Sequence, residues 1–489
     1  MSLRAKAISG AKWSAASMVT MIAVQFVQVA ILARLLQPHE LGLASMASLV
    51  ATLADMFLDM GLSTAIVQRR NISRTELSSL YWMNVLWGLI LGAVLLAGSG
   101  VAAWFFSAPE VKPIISLAAL LFIITPHGQQ YHSLMERELM FDSLSKIGFA
   151  CSPVLFVATL LAATHGCGAY SPVIGALASE LTRTVLLNLY GRRLYTPSFH
   201  FKFSETRPYL RFGMYQAMDS IIYYLNGNFG GIVAGRALGA VALGGYNLAT
   251  NCAVNLPARL NPIFTRVIFP VFAIMQDDQI KLRQNFFKLT GLIALMNFPL
   301  VFGLMVISPD FVACVFGEKW LWISPVIKVL CVVGAFRCIG HPVGLLLMAT
   351  GNVKTSFWFN LTKTIVMMPA IILGAHLGGA LGVALALLVV EAAVFLPTYT
   401  FKLKPVLGPC FGAYLRACLI PARMTIPMVA VVLVASRILD TLGAGHFLAL
   451  AVEVCLGAVV FGATFLLDPS LLCGEVRTIL LNMVRRPAL

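Results

Sequence analysis

The feature that most constrains this chain is a series of unbroken apolar runs of membrane-spanning length. Examples are VLWGLILGAVLLAGSGVAAWF (85–105) and ALGVALALLVVEAAVFL (380–396), and about 20 such residues let a helix cross the hydrocarbon core. Hydrophobic residues make up 59% of the 489 residues and charged residues only 11%, which is too little polar surface for a soluble protein. The runs also lack the short alternating pattern of transmembrane β-strands. The sequence therefore predicts an all-α polytopic membrane protein.

The apolar runs resolve into about 14 predicted transmembrane helices. Their approximate bounds are 12–35, 41–66, 80–106, 112–134, 146–164, 170–190, 212–235, 243–270, 286–307, 321–349, 354–375, 378–400, 411–437 and 446–467. Much of the +15 net charge lies before the first span, in five alternate connections and in the C-terminal tail. The twelfth-to-thirteenth connection, for example, starts with Lys402 and Lys404. Because basic loops stay in the cytoplasm, the pattern predicts that both termini are cytoplasmic.

An internal repeat relates the two halves of the chain. ILARLLQPHELGLASMA (31–47) aligns with VAGRALGAVALGGYNLA (233–249), so that Arg34 meets Arg236 and Gly42 meets Gly244. No connection is long enough to fold as a separate domain. The repeat predicts two pseudo-symmetric six-helix lobes (1–203 and 204–405), followed by two C-terminal spans and a cytoplasmic tail (406–489). Repeats of this kind are typical of transporters with a binding site between the lobes.

The eighth predicted span carries amides and arginines at helical spacing. Within roughly a 120° arc of one helix face lie Asn247, Asn251, Asn255, Arg259 and Arg266. An arginine at mid-bilayer costs roughly 2.5–3.5 kcal/mol even on a lenient insertion scale. We therefore expect this face to line a water-filled cavity. Arg34 and Arg236, by contrast, lie near the predicted outer face, where long side chains can reach the membrane surface.

Other spans contain polar side chains as well. They include Gln25 and Gln28 in the first span, Asp55 and Asp59 in the second, Asp219, Tyr223 and Asn226 in the seventh, Arg337 in the tenth and Lys363 in the eleventh. These groups either line the cavity or join neighbouring helices through hydrogen bonds. Asp55 and Asp59, together with Asp219, either pair with the arginines or titrate as a proton or sodium site. Glu391 and Glu453 receive no role.

The sign of the charge selects the ligand class. In the second half of the chain Arg259, Arg266, Arg337 and Lys363 face one acid at depth, Asp219. A basic cavity suits an anion, and the arginine fork binds two phosphate oxygens at once. The chain has no nucleotide-binding phosphate loop, so we expect no ATP hydrolysis. Ten cysteines without a C-x-x-C pair indicate neither a metal site nor a disulfide framework, and we expect no cofactor.

Several motifs together resemble one protein family. ARLLQPHELGL, LGAVALGGYNLA, LNPIFTRVIFPVFAIMQDD and FRCIGHPVGLLLMATGNV are similar to segments of the bacterial polysaccharide transporters, the Wzx-type flippases of the multidrug/oligosaccharidyl-lipid/polysaccharide exporter superfamily. The resemblance extends from residue 1 to about residue 420. It implies two six-helix lobes arranged as a V that opens alternately to the two sides of the membrane.

The resemblance also implies a function. Such proteins move undecaprenyl-pyrophosphate-linked exopolysaccharide repeat units, here of the colanic-acid type, from the inner to the outer leaflet of the bacterial plasma (inner) membrane. The basic central cavity of the family corresponds to Arg259 and Arg266, with Arg337 and Lys363 as further candidates. Drug exporters of the superfamily often use an acid in the first span, where this chain has Gln25 and Gln28, so the coupling ion stays open.

The resulting hypothesis puts pyrophosphate on Arg259 and Arg266. Sugars bind Asn247, Asn251, Asn255, Asp219, Tyr223 and Gln25. Alternatives are a lipid II flippase or a cation-coupled drug exporter of the same superfamily, and a membrane polysaccharide polymerase or ligase, which would need a larger periplasmic loop. The expected partners are the lipid-linked oligosaccharide, membrane lipids and a polysaccharide polymerase. We expect a monomer that is not an enzyme and binds no nucleic acid.

Overall fold

A computed structural model describes residues 22–58, 66, 72–261, 272, 275 and 278–467, except for the side chains of residues 205, 207–219 and 353. Over these residues all regular structure is helical and no strand occurs. The predicted all-α class is confirmed. The chain forms two compact units, Met1–Gly245 and Tyr246–Leu489. The lobe boundaries predicted after residues 203 and 405 stay predictions.

The first unit contains eight helices and most of a ninth within the described residues. They are α1 (Ile22–Leu35), α2 (Pro38–Leu58), α3 (Arg74–Phe106), α4 (Val111–Ile124), α5 (Pro126–Arg137), α6 (Phe141–Thr164), α7 (Ser171–Gly191), α8 (Phe203–Val233) and α9 (Gly239–Thr250). A π-helical turn, Ala234–Leu238, joins α8 to α9.

The second unit begins inside α9 and continues through a second π-helical turn, Asn251–Asn255. Its long described helices are α10 (Gln279–Val315), α11 (Ser324–Ala349), α12 (Val353–Pro397), α13 (Phe411–Thr441) and α14 (His446–Leu467), and short helical segments occur at Leu256–Ala258, Glu318–Ile323 and Lys404–Leu407. Helix α12 is two helices in one, because the backbone breaks at Gly378 and Gly379, where Gly379 has φ of 58°. A third π-helical turn, Thr398–Leu403, follows it.

Local sequence signals explain where several helices begin and bend. At the start of α3, the Ser73 hydroxyl accepts a hydrogen bond from the Glu76 amide (3.1 Å), and the Glu76 carboxylate accepts one from the Ser73 amide (2.9 Å). This reciprocal cap satisfies two amide groups that a helix start leaves unpaired. Between α4 and α5 the axis bends by 47°, at Pro126, which cannot donate the helical hydrogen bond.

The length and apolar composition of the helices agree with a polytopic membrane protein. Among the described residues, nine helical stretches are long and apolar enough to cross a membrane, and α4 with α5 forms one further bent candidate. Two of the nine each cover two predicted spans: Ser220–Ala258 covers parts of two, and Lys354–Leu407 contains two completely. Each predicted span overlaps a helix, but the count of 14 crossings stays a prediction.

Two glycines that the internal repeat aligns lie against each other in the first unit. A Cβ atom added to Gly42 on α2 would overlap the carbonyl oxygen of Ala240 on α9. One added to Gly244 would lie 3.0 Å from the Gly42 amide nitrogen and 3.0 Å from the Pro38 carbonyl oxygen. The backbones of α2 and α9 can therefore approach this closely only because neither position carries a side chain.

This contact predicts that Gly42→Ala destabilises the protein, because the added methyl group must displace the α9 backbone. Overpacking of this kind typically costs about 1–3 kcal/mol. The measurement is the thermal midpoint of the purified protein in detergent. Gly100→Ala is the matched control, because it lies in α3 with nothing within 4 Å of an added Cβ. Equal midpoints for the two variants would show that the helices are not this close.

Candidate functional site

Three asparagines form a hydrogen-bonded ladder at the start of the second unit. The Asn251 side-chain amide donates to the Asn247 side-chain oxygen (3.4 Å), and the Asn255 amide donates to the Asn251 oxygen (3.0 Å). The three side chains therefore lie on one helix face, as their spacing predicts. The residues between the last two, Cys252, Ala253 and Val254, are buried, so the ladder occupies the opposite, more open side.

The π-helical turn within the ladder has a local cause. Pro257 has no N–H to donate to the Ala253 carbonyl, and a helix commonly widens next to such a missing bond. The Leu256 amide donates instead to the Asn251 carbonyl, five residues back. The widened turn packs closely on α11, where a Cβ added to Gly334 would overlap the Ala253 carbonyl oxygen. Arg337 lies three residues further along α11.

Arg259 continues the ladder by one turn. Its backbone amide donates to the Asn255 carbonyl (3.1 Å), and the residue is exposed. Arg266, Asp59 and the side chain of Asp219 lie outside the described residues.

The remaining predicted site residues belong to the first unit. Tyr223 on α8 is 77% exposed, Asp55 on α2 is exposed and Gln25 on α1 is half-buried. Next to Gln25, the Gln28 amide donates to the Thr159 hydroxyl on α6 (3.2 Å). That bond joins α1 to α6. Joining neighbouring helices is one of the two roles that the sequence allowed for polar groups within the spans.

Glu391 joins two of the predicted cations in the second unit. Its Oε1 accepts a hydrogen bond from Arg337 Nε (3.0 Å), and its Oε2 accepts one from Lys363 Nζ (2.7 Å). The three side chains are 26%, 18% and 8% exposed for Arg337, Lys363 and Glu391 respectively. The expectation that Asp219 is the one acid facing these cations was wrong. Glu391 stands in an apolar run, where a charged group requires a partner, and this signal could have identified it.

A third cation, Lys402, lies near these two salt bridges. Lys402 is only 7% exposed, although the sequence placed it in a connection. Its ammonium group donates to the Asn360 side-chain oxygen (3.0 Å) and lies 4.3 Å from the centre of the Phe359 ring. The π-helical turn Thr398–Leu403 continues the helix beyond Pro397 and thereby keeps Lys402 inside the bundle of the second unit.

We call Arg337, Lys363, Lys402 and Glu391 the charge cluster. Two of the three cations share one carboxylate and the third, Lys402, bonds to an amide oxygen, so the cluster carries surplus positive charge inside an apolar unit. Arg337 donates to Glu391 through Nε. The two terminal Nη groups of the guanidinium can therefore donate to another acceptor. Surplus cationic charge of this kind attracts an anion, and phosphate suits the fork geometry.

The long apolar helices define a polytopic helical membrane protein, and its second unit carries buried charged side chains. Its fold is similar to that of a solved structure of the lipid II flippase MurJ in an inward closed conformation. The TM-score is 0.74 at 14% identity, covering 92% of this chain and 97% of that one.

Sequence comparison identifies the family. The family model described as polysaccharide biosynthesis protein matches residues 31–325. The chain is 42% identical to the lipopolysaccharide biosynthesis protein WzxC of Escherichia coli K12 over 88% of each chain. It is 40% identical to an uncharacterized membrane protein in the cps region of Klebsiella pneumoniae, over 98% of each chain. The chain belongs to the polysaccharide biosynthesis protein family, and the resemblance found in its motifs is confirmed.

The charge cluster predicts that Glu391→Gln strongly destabilises the protein, because two cations then lose their shared carboxylate. Removing one partner of a buried ion pair typically costs about 3–5 kcal/mol. The measurement is the thermal midpoint in detergent. Asp278→Asn is the matched control: Asp278 pairs with Lys281 across 2.9 Å at the start of α10, where the two side chains are 43% and 64% exposed. A pair open to solvent contributes about 1 kcal/mol or less, so similar losses in both variants would contradict the account.

Proposed function

We propose that this chain is a flippase for lipid-linked sugars. It moves an undecaprenyl-pyrophosphate-linked exopolysaccharide repeat unit, of the colanic-acid type, from the inner to the outer leaflet of the bacterial plasma membrane. It works by alternating access, exposing its binding site first to one side of the membrane and then to the other. Its termini are cytoplasmic, and it acts as a transporter without catalysing a chemical reaction.

The observation that carries this proposal is the surplus positive charge of the charge cluster, in a chain of the polysaccharide biosynthesis family. A flippase must carry a diphosphate and several sugars through about 30 Å of hydrocarbon. The lipid tail can remain in the bilayer, so only the headgroup needs a polar environment. Cations offset the phosphate charge, and a drug exporter for cations would need the opposite sign.

Arg259 is proposed as a direct phosphate ligand because of its exposure and its place one turn beyond Asn255. Arg337 and Lys363 already share Glu391, so they hold the local potential positive and contribute weaker direct contacts. Arg259 is exposed and stands at the end of the asparagine ladder. In the proposal Arg266 joins it on the pyrophosphate.

The asparagine ladder supplies the sugar contacts. Asn247, Asn251 and Asn255 present amide donors and acceptors along one face, which suits sugar hydroxyl groups because each hydroxyl both donates and accepts. Gln25, Asp219 and Tyr223 of the first unit are proposed as further sugar contacts. Asp55 and Asp59 are proposed as acids for proton or sodium coupling. The chain acts as a monomer beside a polysaccharide polymerase.

The first functional prediction concerns Arg259. Arg259→Ala should abolish export in cells that depend on this chain, and Arg259→Lys should retain part of it, because a lysine keeps the charge but loses the two-pronged contact. The measurement is surface polysaccharide per unit of membrane-inserted protein. Arg236→Ala is the matched control, because its guanidinium group lies over the Trp104 and Phe105 rings, 6.0 and 5.8 Å from their centres. Normal export by Arg259→Ala would remove this residue from the site.

The second functional prediction concerns ligand class. Purified lipid-linked oligosaccharide should raise the thermal midpoint of the protein, because a ligand that binds only the folded state stabilises it. The same oligosaccharide released from its pyrophosphate lipid should have a much smaller effect, as should a cationic drug. A larger shift with the drug would instead favour a drug exporter.

A further inference from the structure

One connection of the first unit holds three phenylalanine rings at the surface. Residues 192–202, between α7 and α8, form neither helix nor strand. Phe199 is 98% exposed and Phe201 49%, and Phe203, the first residue of α8, is 59% exposed. Large apolar side chains in water are unfavourable, and a patch of them marks an interaction surface. The connection lies outside the predicted spans, so the tails of the hydrocarbon core do not explain the patch.

Hydrogen bonds fix this connection against α3. The Trp82 indole Nε1 donates to the Ser198 carbonyl oxygen (2.8 Å), and the Ser198 amide donates to the Ser78 hydroxyl (3.2 Å). Further along the chain, the Lys202 amide donates to the Ser79 hydroxyl (3.0 Å). The phenylalanine rings are therefore exposed on a segment whose backbone is bonded in place, and the segment presents them as a fixed surface.

The charge on this connection has one sign. Arg192, Arg193 and Lys202 are exposed, and the chain has no aspartate or glutamate between Glu180 and Glu205. Basic connections lie on the cytoplasmic side of a membrane protein, so the sequence predicts that this connection meets the inner leaflet. Cations and exposed aromatic rings thus occur together in one short segment.

A neighbouring connection differs in the sign of its charge. Phe141, at the start of α6, is 53% exposed, but Asp142 follows it directly and Glu138 lies three residues before it. Next to it, Met140 packs against the apolar cluster that contains Tyr195, so the two connections lie at the same end of the first unit. Of the two exposed aromatic surfaces, the one at residues 192–203 complements an anionic partner.

We propose that residues 192–203, the headgroup-binding segment, bind anionic phospholipids of the inner leaflet. Arg193 and Lys202 contact lipid phosphates, because an anionic leaflet attracts basic groups near its surface. The Phe199 and Phe201 rings lie between headgroups and tails, where aromatic side chains are favoured. Because the segment is bonded to α3 and continues into α8, bound lipid holds the starts of both helices at the membrane surface. This binding does not depend on the proposed flippase function.

Photocrosslinking in cell membranes identifies what covers the segment. Phe199→benzoylphenylalanine places a photoreactive analogue of phenylalanine in the full-length chain, and mass spectrometry identifies the adduct. We expect phospholipid adducts in which anionic lipids are several-fold enriched over those formed by Phe149→benzoylphenylalanine. Phe149 is the matched control, because it is 62% exposed within α6 and has no cation beside it in the chain. A protein adduct, no adduct, or the same headgroup composition at both positions would each overturn the proposal.

The cations are tested with the purified protein in lipid nanodiscs. Phosphatidylglycerol added to phosphatidylcholine should raise the thermal midpoint, because a ligand of the folded state stabilises it, and high salt should remove the rise by screening exposed charges. Arg193→Gln combined with Lys202→Gln should lose most of the rise. Lys281→Gln should keep it, because Lys281 pairs with Asp278 across 2.9 Å. An equal rise in the double variant and in this control would contradict the assignment.

The source of the lipid phosphate is tested separately. In cells that make no lipid-linked oligosaccharide, the anionic phospholipid adducts at position 199 should persist, and adducts that form only with the lipid-linked oligosaccharide would overturn the choice of phospholipid. If the variant at position 199 does not fold, Phe201→benzoylphenylalanine serves instead, with the same expected adducts. A protein that forms these adducts but moves no lipid-linked sugar would contradict the proposed function and leave the headgroup-binding segment intact.

Discussion

The cost of placing charge inside hydrocarbon organises this protein. A charged side chain in a membrane span is tolerated where it finds partners, and the second unit provides them in two ways. Glu391 takes two partners, Arg337 and Lys363. Lys402 takes an amide oxygen and an aromatic face. Because the cations outnumber the carboxylate, the cluster is left with a positive potential that only a further anion can offset.

The backbone of the second unit is shaped around these polar groups. Pro257 loosens the helix after α9 into a π-helical turn, and the same segment carries the asparagine ladder and packs on α11 near Arg337. Pro397 precedes another π-helical turn that holds Lys402 inside. Wide turns are frequent at functional sites in helices. In both places they turn polar side chains in directions that an unbroken α-helix would not offer.

The sequence predicted the fold class and the asparagine ladder well, and the ion pairing poorly. Long apolar runs determine helices almost by themselves, since backbone groups in lipid must bond internally, and the spacing of Asn247, Asn251 and Asn255 carries the helix period directly. The partner of Arg337 lies 54 residues away on another helix, and periodicity does not encode such distances. Lys402 was misplaced because a lysine after an apolar run looks like a loop residue, and only the continued helix shows it to be buried. Glu453 was recognisable as an acid in a span, but its burial without a hydrogen-bond partner among the described residues is a property of packing.

The central claim is that positive charge in the second unit holds the pyrophosphate of a lipid-linked sugar. An electron cryo-microscopy structure of the full-length protein with a bound undecaprenyl-pyrophosphate-linked oligosaccharide tests it most directly. The account predicts diphosphate density within hydrogen-bond distance of Arg259, next to sugar density along the asparagine ladder. Diphosphate density at the membrane surface, with Arg259 and the ladder in contact with lipid tails or water alone, would contradict it.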